Sequence, residues 1–238
     1  MNKLFIIGLP RTGTTSISIA MLDYGFKVAH TAYTKQAFEL ADVISDSPCF
    51  CDYQELDALY PNSKFVYLDR APEQWIPSIQ MLLKKMQENL APKTGIFHPV
   101  LKRSFNETFD LYIPPQQQTK VAKNTSVTNK ASTRYTAKNL VLNETAFTEQ
   151  HLSQCYQIHK EQVLTYFEQR EDLLVINLSD KNSLDQLLSF LDVPHNSDVQ
   201  FPHVNIGKHV SGWREYKHPN KVNTLSSGVD QRKFFDYK

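Results

Sequence analysis

The sequence predicts an α/β fold of three layers, with a parallel sheet between two layers of helices. Short apolar runs rich in β-branched and aromatic residues alternate with helix-like segments along most of the chain. Such alternation is typical of parallel sheets that helices cover on both faces. A glycine-containing loop also joins the first apolar run to a helix-like run, and 238 residues fit one sizeable domain.

Predicted strands and helices alternate from the amino terminus. The strands are short and apolar, and the helical segments carry apolar side chains along one face. The predicted strands are residues 4–7, residues 26–29, a strand beginning at 43 and residues 64–68. The predicted helices are residues 14–24, 35–42, 53–60 and 72–90, the last with prolines near its start.

The alternation resumes in the last part of the chain. Residues 144–168 form the longest predicted helix, and residues 173–178 form a strand. A further helix is predicted at 183–191, with Ser183 as its cap.

The segment 111–143 departs from this pattern. It is polar and contains several lysines and an arginine but no Asp or Glu. We interpret it either as a solvated insertion or as a lid that meets an anionic cofactor or acceptor. The chain is therefore predicted to be a single domain over residues 1–238, with a basic insertion at about 111–143.

The composition argues against several classes of function. A formal net charge of +1 predicts no bulk attraction to nucleic acid. No apolar run approaches the ~20 residues needed to cross a bilayer. The amino terminus lacks a signal-peptide pattern, so we expect a cytoplasmic protein. Cys49, Cys51 and Cys155 have the spacing of neither a disulfide framework nor a zinc site.

The stretch GLPRTGTTS follows the first predicted strand. Gly8 and Gly13 have the spacing of a phosphate-binding P-loop, with Thr14 where lysine is usual and Thr15 at the hydroxyl position. Backbone N–H groups and the start of a helix bind phosphate without a side-chain charge. Arg11 supplies a fixed positive charge suited to a bridging or leaving oxygen. The missing lysine favours a metal-independent transfer from a donor with one phosphate at this loop.

This loop resembles the 5′-phosphosulfate loop of sulfotransferases, P-K-S-G-T-T, with Arg11 in place of the lysine. That family carries a second motif, an arginine at a strand end followed eight positions later by a serine. Here KFVYLDRAPEQWIPSI provides Arg70 and Ser78. The resemblance, mainly over residues 1–90, implies a P-loop-like fold of the sulfotransferase type. It also implies 3′-phosphoadenosine 5′-phosphosulfate (PAPS) as sulfuryl donor and no metal.

The resemblance implies roles for individual residues. Arg70 and Ser78 would bind the 3′-phosphate of PAPS, and Arg11 would neutralise charge on the bridging oxygen. A third family element is partly echoed by GKHVSGWR, in which Lys208 and Arg214 would cover the 3′-phosphate. The residues of the first loop that would bind the donor are Pro10, Arg11, Thr12, Gly13, Thr14 and Thr15.

Sulfuryl transfer to a hydroxyl needs a base that takes its proton. His30 and Asp46 follow predicted strands, at the carboxyl ends where open sheets place their ligands. Either residue has a structural alternative, because His30 suits a strand end and Asp46 suits a turn before Ser47-Pro48. We predict Arg11, His30 and Asp46 as the catalytic residues.

The predicted function is a PAPS-dependent sulfotransferase that releases adenosine 3′,5′-bisphosphate. Its acceptor would be a hydroxyl or amine of a small molecule or saccharide, and the sequence does not specify an oligomeric state. Two alternatives stay open: a small-molecule kinase with an altered P-loop, which would need ATP and Mg²⁺, and a non-catalytic nucleotide-binding protein.

Overall fold

The computed structural model describes residues 3–113, 140–196, 200–201 and 212–227. Residues 114–139 of the predicted insertion lie outside these ranges, as does Lys208. At the ends of that segment, residues 111–113 are buried, and Tyr112 and Ile113 pair with Leu142 and Val141. The insertion at about 111–143 stays a prediction.

The strands form one large sheet and one small one. The strands are β1 (Leu4–Ile6), β2 (Val28–Ala29), β3 (Val43–Ser45), β4 (Lys64–Leu68), β5 (Tyr112–Ile113), β6 (Val141–Leu142) and β7 (Leu173–Ile176). The large sheet is parallel, in the order β2-β3-β1-β4-β7, and β5 pairs antiparallel with β6. The carboxyl ends of the five parallel strands therefore meet at one edge.

The helices follow the predicted positions with some exceptions. They are α1 (Thr14–Asp23), α2 (Lys35–Leu40), α3 (Tyr53–Leu59), α4 (Pro72–Leu90), α5 (Pro99–Phe109), α6 (Glu149–Tyr166), α7 (Ser183–Phe190) and α8 (Gly212–Glu215), with a 3-10 turn at Glu144–Phe147. None of the helices in the described ranges is long and apolar enough to span a membrane.

Alternating side chains of the parallel strands divide the core into two layers. Leu4 and Ile6 pack in a buried cluster with residues of α1 and α7. Phe5 and Ile7 point to the other face and pack in a cluster with residues of α2, α3 and the end of α6. This period of two is what a strand buried on both faces requires. The predicted three-layer α/β fold is confirmed.

A third buried cluster lies among α4, α5 and the first half of α6. It includes Leu9 from the loop after β1 and Phe50 from the loop after β3. Trp75 of α4 is fully buried in it and donates its indole N–H to the Pro10 carbonyl at 2.8 Å. This helical layer therefore contacts the loops at the carboxyl edge of the sheet.

The structure corrects three helix predictions. The helix expected over 144–168 is divided, because Thr148 is extended and accepts a hydrogen bond from the His151 N–H as the N-cap of α6. The longest described helix is instead α4, with 19 residues. Asn182, not Ser183, is the N-cap of α7. The sequence analysis missed α5, which begins at Pro99 after His98 accepts from the Val100 N–H.

Candidate functional site

The loop after β1 has the backbone of a phosphate-binding turn. Arg11 and Gly13 have φ values of 72° and 117°, and the Thr12 hydroxyl donates to the Leu9 carbonyl at 2.7 Å. Gly13 is the N-cap of α1, whose first turn contains no acidic side chain. The first N–H groups of a helix have no partner within the helix and favour an anion. The loop and α1 can thus bind a phosphate.

The two glycines of the loop allow a close approach to neighbouring strands. A Cβ atom on Gly8 would lie 2.6 Å from the Leu68 Cβ, and one on Gly13 would lie 2.4 Å from the Leu178 Cδ1. Gly13 also needs a positive φ that other L-residues adopt only with strain. The loop is therefore packed directly against the ends of β4 and β7.

The two sequence motifs meet in space. The Arg11 Nε donates to the Ser78 hydroxyl at 2.8 Å, and the Arg70 Nη1 donates to the Arg11 carbonyl at 2.7 Å. Burial lowers the pKa of both guanidinium groups, and the charge of Arg70 lowers that of Arg11 further. Two half-buried cations held together carry a desolvation and repulsion cost that a bound anion offsets.

His30 and Asp46 lie beside the same loop, at the ends of β2 and β3. The Thr15 hydroxyl is 2.8 Å from His30 Nε2, and His30 Nδ1 is 3.8 Å from the Asp46 carboxylate. The Thr14 hydroxyl lies 3.5 Å from that carboxylate, at the outer limit of a hydrogen bond. The His30 and Asp46 side chains are only 12% and 18% exposed.

Burial has opposite effects on the pKa values of this pair. It lowers the pKa of His30 and raises that of Asp46, while each residue's charge partly opposes the shift of the other. His30 is therefore neutral at neutral pH, as a general base must be. With the Nδ1 proton facing Asp46, the Nε2 lone pair accepts a hydrogen bond from Thr15.

Helix α6 holds the loops after β3 and β4. The Tyr156 hydroxyl accepts from the Arg70 N–H at 2.9 Å and donates to Asp69 at 2.8 Å. Lys160 donates to the other Asp69 oxygen at 2.6 Å, and His159 Nε2 donates to the Phe50 carbonyl at 2.6 Å.

The sequence analysis assigned no role to these three α6 side chains. Their i, i+3 and i+4 spacing puts them on one helix face. That spacing does not reveal which loops the face meets.

The two carboxyl-terminal candidates for the 3′-phosphate, Lys208 and Arg214, are not placed beside Arg70 and Ser78 by any described contact. Arg214 lies on α8 and is exposed, and its role at the 3′-phosphate stays a prediction, as does that of Lys208. The neighbouring Trp213, which the sequence analysis did not select, has its ring centroid 5.3 Å from that of His30.

One group of possible metal ligands occurs among the described residues, away from this site. Ligand atoms of Cys51, Asp52 and Glu107 lie within 4.8 Å of one another. Both Asp52 oxygens already accept hydrogen bonds from Arg103, at 2.9 and 2.6 Å. A cationic side chain thus occupies this cluster.

Comparisons with known proteins agree with the fold and with the sulfotransferase resemblance. The sulfotransferase domain family matches residues 31–210, a range that begins after the first loop and His30. The Ava biosynthesis cluster protein M of Aspergillus versicolor is 26% identical over 111 residues, which cover 34% of this chain and 43% of that protein. The match thus spans less than half of that relative's length. The family match covers most of the length of this chain, and the chain therefore belongs to the sulfotransferase domain family.

Proposed function

We propose that the protein transfers the sulfuryl group of PAPS to a hydroxyl or amine of a small-molecule or saccharide acceptor and releases adenosine 3′,5′-bisphosphate. The observation that carries this proposal is the contact between the two motifs. Arg11 from the first loop donates to Ser78, and Arg70 donates back to the Arg11 carbonyl. A donor with phosphates at both ends would span these two adjoining sites.

The residues present fit such a donor. The N–H groups at the start of α1 and the hydroxyl groups of Thr14 and Thr15 suit the 5′-phosphate. Arg70 uses one donor on the Arg11 carbonyl, and a guanidinium has further N–H groups that suit the 3′-phosphate. A bound dianion would also offset the cost of the two neighbouring buried cations.

His30 is the proposed general base, and Asp46 is its positioning partner. When the Thr15 hydroxyl donates to the 5′-phosphate, the lone pair of His30 Nε2 is free. As the acceptor oxygen or nitrogen forms its bond to sulfur, its proton passes to His30 Nε2 and the bond from sulfur to the bridging oxygen breaks. The bridging oxygen keeps the electron pair, and Arg11 stabilises the negative charge that develops there. Asp46, 3.8 Å from Nδ1, stabilises the imidazolium that results.

The donor is tested by calorimetry. We expect adenosine 3′,5′-bisphosphate to bind without metal and more tightly than ATP with Mg²⁺. A preference for ATP with Mg²⁺ would contradict the proposal and support the kinase alternative.

The role of Arg11 is tested by transfer of labelled sulfate from PAPS to pooled acceptors. Arg11→Ala should lower turnover about 10² to 10³-fold, the usual effect of removing one preorganised donor, while nucleotide binding is largely kept. Arg170→Ala is the matched control, because Arg170 binds Asp57 and Asp172 at the opposite edge of the sheet. Equal turnover in the wild type and Arg11→Ala would remove Arg11 from the mechanism.

A further inference from the structure

The segment 212–227 lies along the β2 edge of the sheet and beyond the residues matched by the family. The Val28 N–H donates to the Asn220 carbonyl at 3.0 Å, and the Val222 N–H donates to the Val28 carbonyl at 2.8 Å. The bridge between Val28 and Lys221 is parallel, as are the strand pairs of the sheet. This segment therefore extends the sheet next to β2.

The same segment also binds the chain just after His30. The Tyr33 N–H donates to the Thr224 carbonyl at 3.1 Å, and the hydroxyl groups of Thr31 and Thr224 are 2.8 Å apart. His30 lies between these contacts and those of Val28. Its backbone is therefore held to the segment on both sides.

Trp213 and Lys221 complete this arrangement beside the imidazole. The Trp213 ring is tilted by 50° to the His30 ring, with 5.3 Å between centroids. The Lys221 ammonium lies 4.3 Å from the centroid of the indole. It also donates to the carbonyls of Trp213 at 2.5 Å and Tyr216 at 2.8 Å. Lys221 thus joins the bridge at β2 to the helix that carries Trp213.

We propose that Trp213 and Lys221 are positioning residues for His30, with the indole holding the imidazole toward Thr15 and Asp46 and Lys221 holding the indole. This inference rests on the proposed role of His30 as general base. Packing on one side and a hydrogen bond on the other leave the ring little rotational freedom, and an oriented base accelerates proton transfer.

Charge supports the same role. Among the described residues, the charged groups that act on His30 are Asp46, from the loop after β3, and Lys221, from the segment 212–227. Thr15, from α1, contributes an uncharged hydroxyl. Burial and the Lys221 charge lower the pKa of His30, and Asp46 opposes them. Lys221 therefore favours the neutral, proton-accepting form of the base.

The test is a titration of the His30 ring by NMR in the full chain, with its signals assigned by their loss in His30→Gln. Lys221→Met should raise the titration midpoint of His30, and Lys221→Arg should restore it. Lys217→Met is the matched control, since it removes the same charge from an exposed position of the same segment. It should leave the midpoint unchanged.

Transfer assays with the same variants complete the test. Trp213→Leu should lower kcat about tenfold with little change in the KM for PAPS, because a mispositioned base slows chemistry more than donor binding. Trp213→Phe should recover most of the loss. In Lys221→Met, the acid limb of the pH–rate profile should move to higher pH with the NMR midpoint.

The outcomes separate this inference from the proposed function. An unchanged His30 midpoint in Lys221→Met, together with unchanged His30 ring contacts in Trp213→Leu, would overturn the positioning role. If the midpoint and contacts change but His30→Gln transfers sulfate as fast as the wild type, the base assignment is wrong and the role in catalysis falls with it. Urea unfolding of each variant shows whether the fold is intact, independently of the proposed donor.

Discussion

The proposed donor side of the site and its proposed base side are built differently. The donor side consists of the loops after β1 and β4, and its key contacts join two short motifs, Arg11 to Ser78 and Arg70 to Arg11. The base side consists of the loops after β2 and β3 and depends on the segment 212–227, with Thr31 bonded to Thr224. The donor side is thus encoded by local motifs, whereas the base side depends on contacts between distant parts of the chain.

The largest expected effect on nucleotide affinity comes from distorting the donor side itself. Gly13→Ala places a Cβ 2.4 Å from Leu178 at a φ of +117°. The strain should cost about 2 kcal/mol of the free energy of unfolding. Loss of two N–H contacts to phosphate should weaken the binding of adenosine 3′,5′-bisphosphate about 100-fold. Urea unfolding and calorimetry measure the two quantities.

Gly25→Ala is the matched control for this change. Gly25 also has a positive φ, +87°, but a Cβ there would meet nothing within 4 Å. It should lose a similar or smaller free energy of unfolding and keep its nucleotide affinity. Equal losses of affinity in both variants would show that the loop geometry is not specific to the donor.

Acid should weaken the base side through His159. This residue is buried, binds the Phe50 carbonyl after β3, and has its pKa lowered by burial to about 4. The unfolded chain binds a proton at His159 more readily than the folded chain does. The contribution of His159 to the free energy of unfolding is therefore fully present above pH ~6.5 and is lost as the pH drops toward 4. The loss should be about 3 kcal/mol.

The measurement is urea unfolding of the wild type and His159→Gln between pH 7 and pH 4. Glutamine keeps a donor for the Phe50 carbonyl but does not titrate, so the slope in this range should become smaller. His30 and His98 also have pKa values lowered by burial and contribute the slope that is left. Identical slopes in the two proteins would exclude His159 as the acid-sensitive contact.

The smallest of these effects is expected where α6 supports the donor side. Tyr156→Phe removes the hydroxyl that accepts from the Arg70 N–H and donates to Asp69. One such bond contributes about 1 kcal/mol, so the affinity for adenosine 3′,5′-bisphosphate should fall about five- to tenfold by calorimetry.

Tyr166→Phe tests whether this loss is specific. Tyr166 ends the same helix and donates to Asp57 at 2.8 Å, outside the donor side. Tyr166→Phe should lower the free energy of unfolding about as much as Tyr156→Phe does, without any change in the affinity for adenosine 3′,5′-bisphosphate. An unchanged affinity in Tyr156→Phe would show that the backbone at Arg70 does not depend on this bond.

The difference between local motifs and contacts of distant residues also explains which features the sequence could predict. The bounds of β4 and α4 follow from an apolar run and from Pro72 in the first helical turn, and both agree with the structure. The loop with Gly8 and Gly13 lies where its spacing predicts, between β1 and α1. These features depend on residues that are neighbours in the chain.

The remaining features depend on partners that sequence spacing does not reveal. Trp213 contacts His30 because residues near Lys221 pair with β2. This pairing joins residues that are far apart in the sequence. Tyr156 and His159 have the spacing of an ordinary helix face, and the sequence does not show that they bind the loops at Arg70 and Phe50. The break at Thr148 was missed because the side chains on both sides of it continue a helical pattern.

Helix α6 has a consequence for how the two sides move. Within little more than one turn, Tyr156 and Lys160 bind the loop after β4 while His159 binds the loop after β3. A displacement of this rigid helix carries both loops in the same direction. The separation between Asp46 and Arg70 should therefore vary less than the position of either one. Thermal fluctuations of the two loops are expected to be correlated, which would preserve the alignment of the proposed acceptor, sulfur and leaving oxygen.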